Sequence, residues 1–199
     1  ENVAALQFCV DLVQQYRYAP PPESFDSWIG FRQGRVGIAF EGIYMLSDLK
    51  RQTDLNYGAA PMPQIGPHPA TWAGSHVLCL RTGLDDATAH AAWRFVKYLS
   101  DHSLDWAEGG QIPVRTSLLA TERFRGMYAQ FEFAKALPHI FYMPRVPFIF
   151  EFTTELDNAV EKALRRTATP QDALDAATAR VNEVIARYKA LDAAAETHR

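Results

Sequence analysis

The chain is poor in three things that would each have named a class of protein. It has no apolar run approaching the ~20 residues of a membrane span. It has two cysteines, Cys9 and Cys79, and neither sits in a CxxC pair. It has no basic excess: the formal net charge is −3 and the isoelectric point about 6.1. The first excludes a spanning helix and the second a disulfide framework. The third removes the electrostatic case for nucleic acid. Buried free thiols are the expected fate of both cysteines, since free cysteine behaves as a small hydrophobe.

Catalytic signatures are missing as well. There is no phosphate-binding GxxxxGK[ST], no GxGxxG, no HExxH and no GxSxG. The six histidines never fall at the i, i+3 or i, i+4 spacing of a helical ligand pair. No metal and no cofactor is therefore expected. Ser75 and His76 are adjacent, but neighbours on a strand face opposite ways, a poor arrangement for nucleophile and base. Acids do recur at helical spacing, Asp101, Asp105 and Glu108 in one stretch and Glu151 and Glu155 in another. Paired carboxylates can hydrolyse glycosides, but a solvated helix face is the plainer reading.

What is present is an ordinary globular mixture, 48% hydrophobic over 199 residues, enough for a sizeable core. Val3, Leu6, Val10 and Val13 predict a first helix over 2–17, ended by Pro20-Pro21-Pro22. A short helix is expected over 25–33. The apolar run Val36 to Phe40, set between Gly34 and Gly42, reads as a buried strand of an α/β sheet, with a helix over about 42–52 after it. Tyr44 falls at that strand-to-helix turn, where ligands of open α/β sheets tend to bind.

Tyr57 to Pro61 and Thr71 to Leu80 read as further extended runs. Asp85 and Asp86 predict the start of a helix with Ala89, Trp93, Val96 and Leu99 turned inward. A short helix ends at Gly109-Gly110, and 116–137 is expected helical with a break near Gly126. Two helices close the chain. The second opens on a threonine cap at Thr169 with Pro170 in its first turn. Aromatics at turns stand out, above all Trp72 beside the small Ala73-Gly74-Ser75 turn. A flat ring next to free backbone N–H groups suits the apolar C–H faces and hydroxyl rim of a sugar.

Six stretches occur in the order of a known family. Phe31-Arg32-Gln33-Gly34-Arg35-Val36-Gly37-Ile38, Glu41-Gly42-Ile43-Tyr44 and Tyr57-Gly58-Ala59-Ala60-Pro61-Met62-Pro63 come first. Trp72-Ala73-Gly74-Ser75, Ala91 to Leu99 and Gly110-Gln111-Ile112-Pro113-Val114-Arg115 follow. Together they resemble the carboxyl-terminal part of family 1 extracellular solute-binding proteins, the maltose-binding-protein-like receptors of ABC sugar importers. Each motif is weak alone, and the shared order gives them weight.

The resemblance implies an α/β, type II periplasmic-binding-protein-like fold: a carboxyl-terminal lobe with an orphaned segment of the amino-terminal lobe. It places the carboxyl-terminal lobe in 1–75 and 130–199, and in 76–129 a hinge crossover and helical segment that would pack on a missing lobe. It implies a non-enzyme that binds a sugar or oligosaccharide and docks onto ABC permease membrane subunits. A phosphorylated polyol, held with help from Arg115 and Arg145, is the alternative ligand, and a glycoside hydrolase the remaining one.

The ligand-binding residues carried over are Tyr44, Trp72, Gly74, Ser75, Arg115 and Phe148, the last from a stretch, 148–152, that often supplies a stacking ring. Tyrosine at 44 stands where the family usually has tryptophan, and Ser75 replaces a glycine. The helical start at Glu1-Asn2-Val3 leads us to expect a mature or trimmed chain, periplasmic or extracellular, with a lipid anchor at a missing amino terminus as one arrangement. An apolar helix face without its lobe is expected to be repacked or to drive self-association.

Overall fold

In the computed structural model, which describes residues 1–22 and 26–197, ten helices and two short strands follow one another. They are α1 (Asn2–Gln14), α2 (Ser27–Arg32), α3 (Leu46–Leu49), β1 (Thr71–Ala73), α4 (Asp86–Asp101) and α5 (Ser103–Ala107). Then come α6 (Thr116–Leu119), α7 (Glu122–Arg125), α8 (Tyr128–Ala134), β2 (Ile140–Tyr142), α9 (Ile149–Leu164) and α10 (Pro170–Thr197). Single 3₁₀ turns precede α3, at Ile43–Met45, and β2, at Leu137–His139. Phe25, where the second predicted helix was to begin, lies outside the described residues, as does His198.

Contacts divide the chain into two units. One joins residues 1–26 to 144–199 and the other is 27–143. The expected partition into 1–75 plus 130–199 and 76–129 was drawn on another basis, packing against an absent lobe.

The first unit is a helical packing of α1, α9 and α10. Leu6 and Val10, one turn apart on α1, bury against Ala163 of α9. Ala159 of α9 meets Ala173 and Ala177 of α10, so small side chains let these two helices approach closely. Thr169 caps α10: its hydroxyl oxygen accepts from the Asp172 N–H at 3.1 Å and donates to the Asp172 carboxylate at 2.7 Å. The turn before it uses Arg166 at φ +61°, a left-handed helix end made without glycine.

The second unit has its core under α3. Leu46, Leu49 and Ala129 are buried together, with Trp28, Phe31, Tyr57 and Phe133 packed around them. The Trp28 indole N–H donates to Asp48 at 3.2 Å, which ties α2 to α3. Phe124 is 1% exposed and is the largest fully buried side chain among those described.

Strand pairing is sparse. β1 and β2 run parallel, with Trp72 opposite Phe141, and they form the only sheet among the described residues. The runs 36–40 and 57–61 are not strands, and 71–80 is a strand only to Ala73. Ile38, Phe40, Val77 and Leu78 are exposed, so the apolar pattern that predicted buried strands finds neither ladder nor cover. A strand is defined by its neighbour, and a run of apolar residues cannot supply one.

A similar correction holds for α4. It forms where expected, but none of its residues is buried, and Trp93 is 60% exposed, beside exposed Phe95, Tyr98 and Leu99. The cysteines are also not where they were expected: Cys9 and Cys79 are free and exposed. Cys9 lies on the open side of α1, and Cys79 in the uncovered run after β1.

The start of α4 carries a pH dependence. The Asp85 carboxylate accepts from the Thr88 hydroxyl at 2.7 Å and the Thr88 N–H at 2.9 Å. These bonds, the hydroxyl's first, hold its pKa below the usual range. A pKa lower in the folded state means stability that is complete above the unfolded value, about 4. It is lost as pH falls through the lower folded value. Thermal melts from pH 6 to pH 2.5 are expected to fall less steeply for Asp85→Asn, which keeps the cap without the titration. Equal slopes would contradict this role.

Candidate functional site

Five of the six expected ligand residues lie in the second unit. Tyr44 sits in the 3₁₀ turn that opens α3 and is 58% exposed. Its ring lies directly over Gly42: a Cβ built there would come 2.1 Å from Cε1 of the tyrosine. The backbone carbonyl of Tyr44 accepts from the Ser47 hydroxyl at 3.2 Å, which steadies the turn. Trp72 sits in β1, 72% exposed. Its ring passes over Gly74, with Cζ3 3.7 Å from where a Cβ would be. The two rings share a device, in which a glycine two residues away leaves the ring free to lie against backbone. Among the described residues neither ring packs on another ring, so both keep exposed surface for something else.

The two turns are tied to one segment. Gly110 packs against the carbonyl of Ile43, the residue before Tyr44. The Lys50 ammonium donates to the Glu108 carbonyl at 2.5 Å, fastening α3 to the same loop. Four residues before Gly110, Trp106 meets the ring of His76 edge-on, centroids 5.6 Å apart. His76 follows Ser75, whose hydroxyl donates to the His76 carbonyl at 3.1 Å. The end of α5 is anchored in turn by buried Gln130, whose amide donates to the Ala107 carbonyl at 2.8 Å. So one short segment, 106–110, touches Ile43, the residue before Tyr44, and His76, four residues after Trp72. No direct contact between the two rings is present.

Arg115, just before α6, is half-buried. Its Nη2 lies 2.7 Å from Oδ1 of Asp101, and Oδ2 of the same carboxylate is held by Lys97. Its Nε is buried and finds no acceptor among the described residues. Lys97 first, and then Arg115, keep the Asp101 pKa below the usual range. Phe148 belongs to the first unit and caps the start of α9. It is half-buried, with its ring tilted against Tyr188 at 5.2 Å. In the same 148–152 stretch Phe150 is the openly exposed ring.

The carboxylates considered for hydrolysis are held in other contacts. Asp105 and Glu108 both pair with Arg123, at 2.7 and 2.6 Å. Glu155 pairs with Arg180, and Glu151 accepts from the Tyr188 hydroxyl at 3.1 Å. Among the described residues no three His, Cys, Asp or Glu side chains gather to hold a metal. A shallow cavity of about 250 Å³ opens beside Thr71, floored by Pro61, Met62 and Pro69 and edged by Lys135 and His139.

Glycine at 42 gives a direct test of the ring's seat. Its backbone lies at φ −68°, ψ 140°, which any residue can adopt. Gly42→Ala is therefore expected to leave the melting temperature within about 2 °C while lifting the Tyr44 ring. Tyrosine fluorescence and ligand affinity would both change. An unchanged affinity, with ligand binding otherwise present, would take Tyr44 out of the site.

No family model matches the chain. Among curated proteins it is similar to the sn-glycerol-3-phosphate-binding periplasmic protein UgpB of Pectobacterium atrosepticum. The identity is 24% over 176 residues, covering 80% of this chain and 39% of that protein. Among solved structures it is similar to the sugar-binding protein MalE of Xanthomonas citri, with a TM-score of 0.80, 20% identity, and coverage of 95% of this chain and 50% of that one. It is also similar to the cyclic alpha-maltosyl-1,6-maltose binding protein of Arthrobacter globiformis, at TM-score 0.74 and 25% identity over 92% of this chain and 47% of that one. The chain thus spans about half the length of the solved proteins it matches, and less of the curated one. Its fold is that of a type II periplasmic binding protein, and the half coverage fits the resemblance to a carboxyl-terminal part. No helix of the described residues is long and apolar enough to cross a membrane.

Proposed function

We propose that this chain, built on the fold of the ABC-importer solute-binding proteins, is the substrate-binding component of an ABC transporter. It holds a sugar or oligosaccharide for uptake and does no chemistry on it. The observation that carries this reading is the pair of exposed rings, Tyr44 and Trp72, each laid over a glycine. Stacked aromatic faces and backbone amides at Gly74 and Ser75 can grip a polyhydroxylated ring without altering it. The ion-paired carboxylates supply no free acid and base, which supports a binding role over a hydrolytic one.

In this reading Arg115 borders the ligand. The partners are ABC permease membrane subunits and the location is periplasmic or extracellular. The segment 76–129 meets a second lobe; the lack of any buried residue on α4 supports that role. A second copy of the chain is the competing cover for α4. A phosphorylated polyol stands as the other ligand class, on the strength of the 24% identical glycerol-3-phosphate-binding relative.

The test is a thermal-shift screen of the full chain, as the cell makes it, against maltooligosaccharides, monosaccharides and glycerophosphates. The screen is then repeated on these 199 residues alone. A ligand at 100 times its dissociation constant stabilises by about 2.7 kcal/mol, a rise of roughly 5–10 °C for a domain of this size. No shift with any carbohydrate, or release of free sugar from a glycoside, would overturn the reading.

A further inference from the structure

We infer that Phe141 is a second ring of the binding platform, set beside Trp72, and that the platform takes two linked sugar rings rather than a monosaccharide. This rests on the proposed receptor reading. β1 and β2 run parallel with Trp72 opposite Phe141. Residues in register on neighbouring strands project from the same face of a sheet, and the strands lie about 4.8 Å apart. The indole and the phenyl ring therefore rise side by side from one face. That face is open: Phe141 is 63% exposed, beside the still more exposed Trp72. The opposite face is more covered, with Thr71, Ala73 and Ile140 half-buried. Gly74 holds the next position after Trp72 on the open face, so no side chain stands there, and the indole leans over it. The platform ends at the Gly74-Ser75 turn, beyond the last register pair of the ladder. Apolar faces and backbone donors thus meet at one edge, the mixture that a hydroxylated ring with apolar C–H faces asks for. One indole carries one pyranose. A second aromatic surface at strand spacing adds little for a single ring already seated on Trp72, but it meets the next ring of a chain. Both rings stand on paired strands rather than on loops, so their spacing is set before a ligand arrives and little ordering entropy is lost.

The experiment measures calorimetric affinities of the full chain for maltose, trehalose and lactose, and for glucose and galactose. The proteins are wild type, Phe141→Ala, Phe141→Leu, Trp72→Ala and Tyr142→Ala. Tyr142 is the control: it is the next residue on β2, nearly as exposed, and projects from the opposite face. Wild type is expected to hold a disaccharide about tenfold or more tighter than its component monosaccharide. Phe141→Ala and Phe141→Leu should each lose about tenfold on the disaccharide and less than about twofold on the monosaccharide. Leucine keeps the apolar bulk and lacks the flat face. Trp72→Ala should lose affinity for both sugars, and Tyr142→Ala for neither. Phe141 variants within twofold of wild type on the disaccharide, with Trp72→Ala impaired, overturn the inference and leave the receptor reading standing. So does a wild type that holds the monosaccharide as tightly, or a Tyr142→Ala loss equal to that of Phe141→Ala. A Phe141→Ala protein that melts more than about 5 °C below wild type also overturns it, because a ring that stabilises the fold is packed under protein, either another part of the full chain or a second copy. A wild type that binds none of these sugars removes the receptor reading, and this inference falls with it.

Discussion

Gly110→Ala is expected to destabilise the protein by about 3 kcal/mol or more, the sum of backbone strain and overpacking. Gly110 is buried and has φ +111°, where a side chain is strained whatever space it has. Space is lacking too. A Cβ would fall 2.1 Å from the Ile43 carbonyl oxygen and 3.1 Å from Cβ of Leu46. Both belong to the segment that sets Tyr44 and the α3 core, and a backbone carbonyl cannot swing aside as a side-chain tip can. Two controls separate strain from glycine loss in general. Gly37→Ala meets nothing within 4 Å, and Gly109→Ala meets only the Trp106 carbonyl, at 3.3 Å. Urea denaturation should rank them Gly37→Ala nearest wild type, Gly109→Ala next and Gly110→Ala far below. At this chain length the expected drop in melting temperature is roughly 6–12 °C. A Gly110→Ala protein melting within 2 °C of wild type would show that the 106–110 loop does not hold the Tyr44 turn as described.

Removing the ring of Trp72 is expected to cost about 30-fold in sugar affinity, the effect of losing a central aromatic contact of about 2 kcal/mol. Stability should hardly move, because the ring is 72% exposed and fills no core. The combination is the informative part. A ring that plugs an interior loses stability on truncation, as Phe124→Ala should, by about 3–5 kcal/mol. A ring kept for a ligand loses binding alone. Trp72→Phe, which retains a smaller face, should recover part of the affinity, and Tyr44→Ala should repeat the pattern. If Trp72→Ala binds as wild type does, the exposed ring serves another surface and the site must be sought elsewhere.

Several elements could be read from the residues because their causes are local. The Asp85 and Thr169 caps and the glycine pair after α5 depend on neighbours a few positions away. The order of six short motifs likewise carried the fold. Strand status at 36–40, 57–61 and 74–80 could not be read, because it requires a partner strand from a distant part of the chain. The inward face expected of α4 failed for a related reason. Amphipathic spacing says which side a helix would bury, not whether anything comes to cover it.

The candidate site divides along the same line. That Tyr44, Trp72, Gly74 and Ser75 are the right kinds of residue for gripping a sugar was legible from their types and turns. Two things needed coordinates: Arg115 is already bound by Asp101, and the 106–110 segment reaches both Ile43, beside Tyr44, and His76, after the Trp72 turn. Sequence by itself determined the helices, their caps and the family of fold, since these follow from backbone propensity and side-chain spacing within a turn or two. Tertiary structure decided which apolar groups are covered, which charges cancel and which rings stay open, because burial and pairing are set by residues far apart in the chain.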